Sequence, residues 1–282
     1  MRRGLVLSLE RMDKILKVDP ANRTLTVEPG VTNQAVQQAA AEHGFFWPPD
    51  PTNAAYCTVG GNLAVNAAGP HAVKYGSTRE NTLGLRAVLG TGDEIRTGVH
   101  TTKGAVGYDL TRLLIGSEGT LAVITEATLK LTPLPEARRL LQAVYGSVAA
   151  AAQAISRIMA QPATPCALEF MDAPAIEMIR GYAGTELPRA AGALLLIEVD
   201  GPATALDAMA AAIRTAASGG DGLLEFRAAA SRAETEALWA TRKALSPALR
   251  TIAPNKLNED VVVPVSRLPD LVAAVRRIAA AQ

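Results

Sequence analysis

The stretch CTVGGNLAVNAAG at residues 57–69 sets Gly60, Gly61 and Gly69 among Ala64, Ala67 and Ala68, and spaces two amides, Asn62 and Asn66, four residues apart. Small side chains at this density let a backbone come close to something flat or phosphorylated, and glycine also reaches positive φ without a steric penalty. The composition reads as a wall built against a ligand, with two polar groups kept in it.

Working outward, residues 5–9, 13–19 and 23–28 are short β-type runs divided by turn residues such as Asp19-Pro20 and Pro29-Gly30. Thr32 caps a helical run through Val36, Ala39 and Ala40 that stops at Gly44. A proline-rich loop, Trp47-Pro48-Pro49-Asp50-Pro51, then leads into the quoted stretch. Beyond it, residues 83–89 and 94–97 predict a hairpin around Gly90-Thr91-Gly92-Asp93. Residues 121–131 alternate, which places Val123, Thr125, Ala127, Leu129 and Leu131 on one face of a half-buried strand. Thr132-Pro133-Leu134-Pro135 breaks the pattern. From there strand-like runs at 140–145, 167–171, 193–199 and 223–227 alternate with alanine-rich helices, which predicts one domain over residues 1–136 and a second over 137–282. Connections too short for repeated crossovers favour an antiparallel α+β layer in the second domain over a parallel sheet.

The 282 residues are 49% hydrophobic and 20% charged, ordinary for a soluble enzyme with a sizeable core. A net charge of +1, with no block of like charges, argues against nucleic acid and membrane surfaces as partners. The apolar residues 4–7 meet Ser8 and Glu10-Arg11 well short of the core of an export signal, so a strand is expected there. No run reaches the ~20 apolar residues of a membrane span. Cys57 and Cys166 form no C-x-x-C pair, which points to a reducing cytoplasm and away from an iron–sulfur ligand set.

Common nucleotide motifs do not explain the glycines. There is no G-x-G-x-x-G, since Gly90-Thr91-Gly92 runs on to Ile95, and no G-K-[ST] of a phosphate loop. His43, His71 and His100 are too scattered for a local metal-ligand pair, so no metal site is assigned. Gly116-Ser117-Glu118-Gly119 lacks the glycine two places before its serine that a hydrolase nucleophile elbow needs.

Three stretches remain in order: PPDPTNAAYCTVGGNLAVNAAGPHAVKYG at 48–76, GYDLTRLLIGSEGTLAVITEATLKL at 107–131, and LEFMD at 168–172. Together they resemble the p-cresol methylhydroxylase (PCMH) type flavoproteins, in the branch of the glycolate oxidase FAD-linked subunit and D-lactate dehydrogenase. The resemblance implies an α+β chain: the second part of a PCMH-type FAD-binding domain, followed by an α+β cap domain with a mainly antiparallel sheet. It implies FAD as cofactor, contacted by Pro51, Thr58, Gly60, Gly61, Asn62, Asn66 and Gly69 from the first stretch. From the second it implies contacts by Glu118, Gly119, Val123 and Ile124, with 116–120 as the bend that brings the following backbone to the flavin. Each asparagine has two readings, a donor to phosphate or flavin oxygens or the cap of a turn. Glu118 reads equally as a solvated charge.

For the substrate, Ser231-Arg232-Ala233-Glu234 is a capping-box pattern opening a helix that carries Leu238, Trp239, Arg242 and Leu245. The resemblance makes Arg242 and Ser246 the catalytic-site pair that grips a 2-hydroxy acid carboxylate, a task suited to the planar fork of arginine. Pro247 disfavours helical geometry at Ser246. Either Lys256 or Asn258 is expected to face the substrate.

The resemblance also marks departures. The family's R-G-x-G-T pyrophosphate loop and its G-H-x-G-D-G-N-x-H segment, whose histidines hold a metal and act at the substrate hydroxyl, are not in this sequence. The expected function is therefore FAD-dependent oxidation of a small 2-hydroxy acid of the glycolate or D-lactate type. Electrons leave to an external acceptor, an iron–sulfur or second flavin-type subunit, in the cytoplasm or at the inner membrane through partners. A truncated non-catalytic fragment or a structural subunit of a glycolate oxidase-like complex is the alternative. LEFMD and LWATRKALS at 238–246 speak against a third reading, the cell-wall precursor reductase that shares the flavin fold.

Overall fold

A computed structural model describes residues 4–101, 103–183, 187–252, 255 and 260–281. The chain divides into two compact units, residues 1–134 and 135–282.

In the first unit, β1 (Ile15–Asp19), β2 (Thr24–Val27), α1 (Asn33–Ala41), β3 (Phe45–Phe46), α2 (Val59–Val65), α3 (Ala72–Tyr75), β4 (Thr82–Leu89), β5 (Glu94–Gly98), α4 (Leu110–Leu114), β6 (Ala122–Lys130) and β7 (Thr132–Pro133) follow in order. Five strands form one sheet in the order β1-β2-β6-β4-β5, every pair antiparallel. The hairpin β4–β5 forms where Gly92, at φ 90°, turns the chain. Thr32 caps α1 by accepting from the amide of Ala35 at 3.2 Å, and the chain leaves that helix through Gly44 at φ 78°. The core gathers Leu25 and Val27 of β2, Val36 and Ala40 of α1, Val59 and Leu63 of α2, Leu85 and Ala87 of β4, Leu114 of α4 and the inward residues of β6. Trp47 is fully buried among them, its indole donating to the Asn81 carbonyl at 3.0 Å.

Two expectations for this unit are corrected. Residues 5–9 form no strand: Leu5 and Val6 stand 92% and 84% exposed, and no strand among the described residues pairs with them. The alternation in β6 also changes phase. Arg86 faces Glu126 but the next residue, Ala87, faces Ile124, so Thr125 is the extra residue of a β-bulge. Because side-chain direction has period two, one extra residue swaps the faces. Ala122 and Ile124 are buried before the bulge and Ala127, Leu129 and Leu131 after it, so Val123 and Thr125 do not share the face of Ala127 as the sequence pattern predicts.

The second unit runs β8 (Ala137–Tyr145), α5 (Val148–Ala160), β9 (Ala167–Asp172), α6 (Ala173–Ala183), β10 (Ala193–Gly201), α7 (Leu206–Ser218), β11 (Leu223–Ala228), α8 (Arg232–Ile252) and α9 (Leu268–Ala280). Its four-stranded sheet has the order β11-β8-β10-β9 with every neighbouring pair antiparallel, but not because the connections are short: α5, α6 and α7 link successive strands, and the α5 connection crosses over β10 to join the mutually parallel β8 and β9. Helices cover both faces. Leu141, Ala143, Tyr145, Leu195, Ile197 and Val199 meet Ala151, Ile155 and Ile158 of α5 and Leu206 and Ile213 of α7. Leu140, Val144, Leu194, Leu196 and Met171 meet Ile176 and Ile179 of α6 and Leu238 of α8. Burial on both sides is why β10 reads ALLLIEVDG, a nearly continuous apolar run without alternation.

Helix α8 opens with the expected cap: Ser231 Oγ accepts from the Glu234 amide at 3.2 Å, while the Glu234 carboxylate accepts from the Ala230 amide at 2.6 Å. The helix then continues through Pro247 to Ile252, so Ser246 is helical, contrary to the expectation from its proline neighbour. Proline removes one internal donor there, and packing of the helix's apolar stripe, Leu238 and Leu245, against the sheet outweighs that loss.

Candidate functional site

The small-residue wall of residues 57–69 is helix α2 and its flanks. Thr58 caps the helix, its Oγ accepting from the Gly61 amide at 3.2 Å. The last turn closes at Asn66 in the left-handed region, φ 52°. The second motif docks on that end: the Gly116 amide donates to the Leu63 carbonyl and the Glu118 amide to the Ala64 carbonyl, each at 2.9 Å. Two motifs separated by some fifty residues are therefore one piece of structure. Arg79 clasps it, with Nη2 on the Ile115 carbonyl at 2.9 Å and its own amide on Asn66 Oδ1 at 3.0 Å.

The glycines are small for different reasons. A Cβ on Gly60 would sit 2.6 Å from the Cβ of Pro29, and one on Gly69 would collide with the carboxylate of Asp50, so both are demanded by the chain's own packing rather than by the flavin ring. Gly61 meets only the Thr58 hydroxyl, at 3.4 Å, and is exposed. Nothing among the described residues requires its smallness. Gly119 has φ 74° with no atom within 4 Å of a Cβ, and Glu118 at φ 51° is exposed beside it, so this bend is set by backbone conformation.

The asparagines also part ways. Asn66 Oδ1 accepts from Ser77 Oγ at 2.8 Å and from the Arg79 amide, which makes it the cap of the turn. Asn62 is 3% exposed and its Nδ2 has no partner among the described residues. A buried donor left without an acceptor costs about 1–3 kcal/mol unless a bound group satisfies it. Asn62 and the open face at Gly61 are thus the two features that fit a cofactor with carbonyl or phosphate oxygens. Thr58, Gly60 and Gly61 line one cleft of about 470 Å³ with Pro29, Gly30 and Val31. Pro51 lies in the loop just before α2, its carbonyl accepting from the Ala54 amide at 3.0 Å. In β6, Ile124 points into the core and Val123, half-buried, away from it. Only Val123 therefore has its side chain on the outward face of the strand, a distinction the bulge creates.

In the second unit, Arg242 and Ser246 of α8 share a wall of a cleft of about 350 Å³ with Phe170, Met171, Asp172, Ala175, Leu245 and Leu249. The Arg242 Nε donates to Glu169 Oε2 at 2.6 Å, and Glu169 comes from the LEFMD strand, β9. The two Nη groups of Arg242 have no partner among the described residues, so one edge of the guanidinium is committed and the other is open. Trp239, one turn earlier, donates its indole N–H to the buried Glu198 at 2.8 Å, which fixes the helix against the sheet. Asp172 is occupied in capping α6 and lies 3.7 Å from Arg276. Lys256 and Asn258 lie outside the described residues. Sequence reading did not single out Glu169, although its place two residues before Met171, on the same strand face toward α8, was the available signal.

Residues 1–98 match the FAD binding domain family, and residues 134–282 match the FAD linked oxidases, C-terminal domain. The glycolate oxidase subunit GlcD of Bacillus subtilis is 42% identical over 98% of this chain and 59% of its own length. A D-lactate dehydrogenase of Anaerostipes hadrus is 33% identical over 95% of this chain and 57% of its own. The chain thus spans less than two thirds of the length of these curated relatives. The solved structure of alkyldihydroxyacetonephosphate synthase superposes with a TM-score of 0.68 at 22% identity, covering 86% of this chain and 46% of that one, a likeness of fold.

Proposed function

Because the chain belongs to the FAD-linked oxidases, with FAD as cofactor, we propose that it takes part in oxidising a small 2-hydroxy acid of the glycolate or D-lactate type. The observation that carries this reading is the open edge of Arg242 beside Ser246 in a cleft whose other walls are mainly apolar. A guanidinium edge binds a carboxylate through two parallel charge-assisted hydrogen bonds. Ser246, one helical turn on, lines the same cleft, where a hydroxyl is able to bond the same substrate. Phe170, Met171, Leu245 and Leu249 supply apolar surface beside that pair for the rest of a small acid.

Bound FAD would supply the two-electron acceptor that the acid's oxidation needs. Thr58, Gly60, Gly61 and Asn62 would hold it, together with the bend at Glu118 and Gly119 and the outward face at Val123. Two relatives named for glycolate and D-lactate chemistry support the substrate class. One of them is named as a subunit, which supports the reading that electrons pass to a partner, an iron–sulfur or second flavin-type protein. Cys57 and Cys166, with no disulfide between them, support a reducing, cytoplasmic setting.

The test uses the whole enzyme that contains this chain. Gly61→Val should strip FAD, read as loss of the yellow absorbance, while circular dichroism stays that of the parent. Arg242→Ala should retain the flavin yet raise KM for glycolate and D-lactate by about tenfold to a hundredfold, the loss of a charged hydrogen-bond pair. Unchanged flavin content in the first variant, or an unchanged KM in the second, would overturn the corresponding assignment.

A further inference from the structure

Arg242 does not stand alone in its cleft. Its Nε is held at 2.6 Å by Glu169, whose side chain is only 16% exposed and is not part of the cleft wall. Glu169 sits on β9 directly opposite Leu196, a buried residue of β10, so its backbone is fixed by the sheet. Arg242 comes from α8, a different element, and the ion pair therefore sets where the end of a long, rotamer-rich side chain lies. A guanidinium presents two edges to a carboxylate, the one formed by Nε with an Nη and the one formed by both Nη groups. Glu169 occupies the first.

We propose that Glu169 is the positioning residue of the carboxylate site: it takes the Nε edge of Arg242 and leaves only the two Nη groups to receive a substrate carboxylate end-on. This rests on the reading of Arg242 given above and goes one residue deeper. Leu245 and Leu249 offer Arg242 no acceptor, and the other carboxylate of the cleft wall, Asp172, is engaged by the Ala175 amide and lies 3.7 Å from Arg276. Without Glu169 the side chain is free to swing, and both edges compete for the substrate in unproductive poses. Glutamine at this position keeps the length and the acceptor oxygen while losing the charge, so it preserves the positioning. Alanine loses both.

The experiment compares Glu169→Ala, Glu169→Gln and Arg242→Ala in the flavin-loaded enzyme that contains this chain, with steady-state kinetics on D-lactate and glycolate and with flavin content and thermal unfolding measured alongside. Glu169→Ala should raise KM about tenfold with kcat within about threefold of the parent, and Glu169→Gln should restore KM to within about threefold. Flavin content should be that of the parent in both. A KM in Glu169→Ala equal to or below the parent value overturns the proposal, the lower value showing that Glu169 merely competes with substrate for Arg242. Equal KM increases in the alanine and glutamine variants, or loss of flavin together with activity, overturn it too, since they point to charge or to folding rather than position. If Arg242→Ala raises KM and Glu169→Ala does not, this inference alone fails. If Arg242→Ala leaves KM unchanged, the carboxylate reading of Arg242 fails with it.

Discussion

Asn62 and Asn66 show how little residue type and spacing say about use. Both are short amides on one small helix, yet Asn66 is spent on Ser77 and Arg79 while Asn62 keeps a buried, unpartnered donor. The i, i+4 spacing was legible, but the partners come from the loop at 77–79, which no local pattern ties to residue 66. The same holds for Gly60 and Gly69, whose smallness answers to Pro29 and Asp50. Gln142 of β8 presents a similar case in the other unit. It is 1% exposed on the face toward α8, and neither amide atom has a partner among the described residues. Replacing such a group with an apolar one of the same shape removes a desolvation penalty of about 1–3 kcal/mol. Gln142→Met is accordingly expected to raise the stability of the second unit by about 1 kcal/mol, measured by chemical denaturation. A loss of stability would show that the amide is satisfied in solution.

Thr32 and Ser231, legible in the sequence as caps, each accept an amide three residues on and open a helix. Thr58 and Ser147 do the same, though the sequence reading did not place helices on them. What escaped local reading was a bulge at Thr125 and the passage of α8 through Pro247, both of which depend on what the element packs against. The start of α8 makes its own prediction. The Glu234 carboxyl is held below the usual carboxylate range, first by the Ala230 amide and then by the Arg227 side chain. An acid whose folded value lies below its unfolded one stabilises above the unfolded value, about 4.3 for glutamate, and that contribution fades as pH falls through the folded value. Thermal melts followed from pH 6 downward should fall less steeply below about pH 4 in Glu234→Gln than in the parent, because the variant has no proton to take up there. An identical slope would place the acid sensitivity elsewhere.

Across the whole molecule, each unit has its own sheet and its own apolar cluster: Leu25, Trp47, Leu63 and Leu129 in one, Tyr145, Ile158, Ile197 and Ile213 in the other. A segment with its own core is able to fold by itself. Residues 1–134 and 135–282, produced separately, should each give a cooperative thermal transition by circular dichroism, and a non-cooperative melt of either would show that it depends on the other. In the second unit Tyr145 is fully buried, its hydroxyl donating to the Ala217 carbonyl at 3.1 Å, and burial pushes its pKa up to about 12. The unit is expected to keep its full stability below pH 10 and to lose some of it as pH rises from there toward 12. Tyr145→Phe should remove that alkaline loss while costing about 1 kcal/mol at neutral pH for the missing hydrogen bond.

The sequence by itself determined the antiparallel α+β architecture, the change of character at Thr132-Pro133-Leu134-Pro135, the capped helices and the flavin family. The elements and the break follow from patterns that act over a few residues, such as caps, turn residues and side-chain period, and the family from the resemblance of three stretches in order. The tertiary structure alone decided which residues of the small-residue run answer to the chain's own packing. Gly61 and Asn62 are left without a demand from the chain, Gly60, Asn66 and Gly69 are taken up by it, and Ile124 is turned into the core by one extra residue in β6. It also paired Arg242 with Glu169, 73 positions apart in the chain. Hydrogen bonds and close packing fall off within a few ångströms, so they depend on which segments the fold brings together, and segments distant in sequence leave no local trace of meeting.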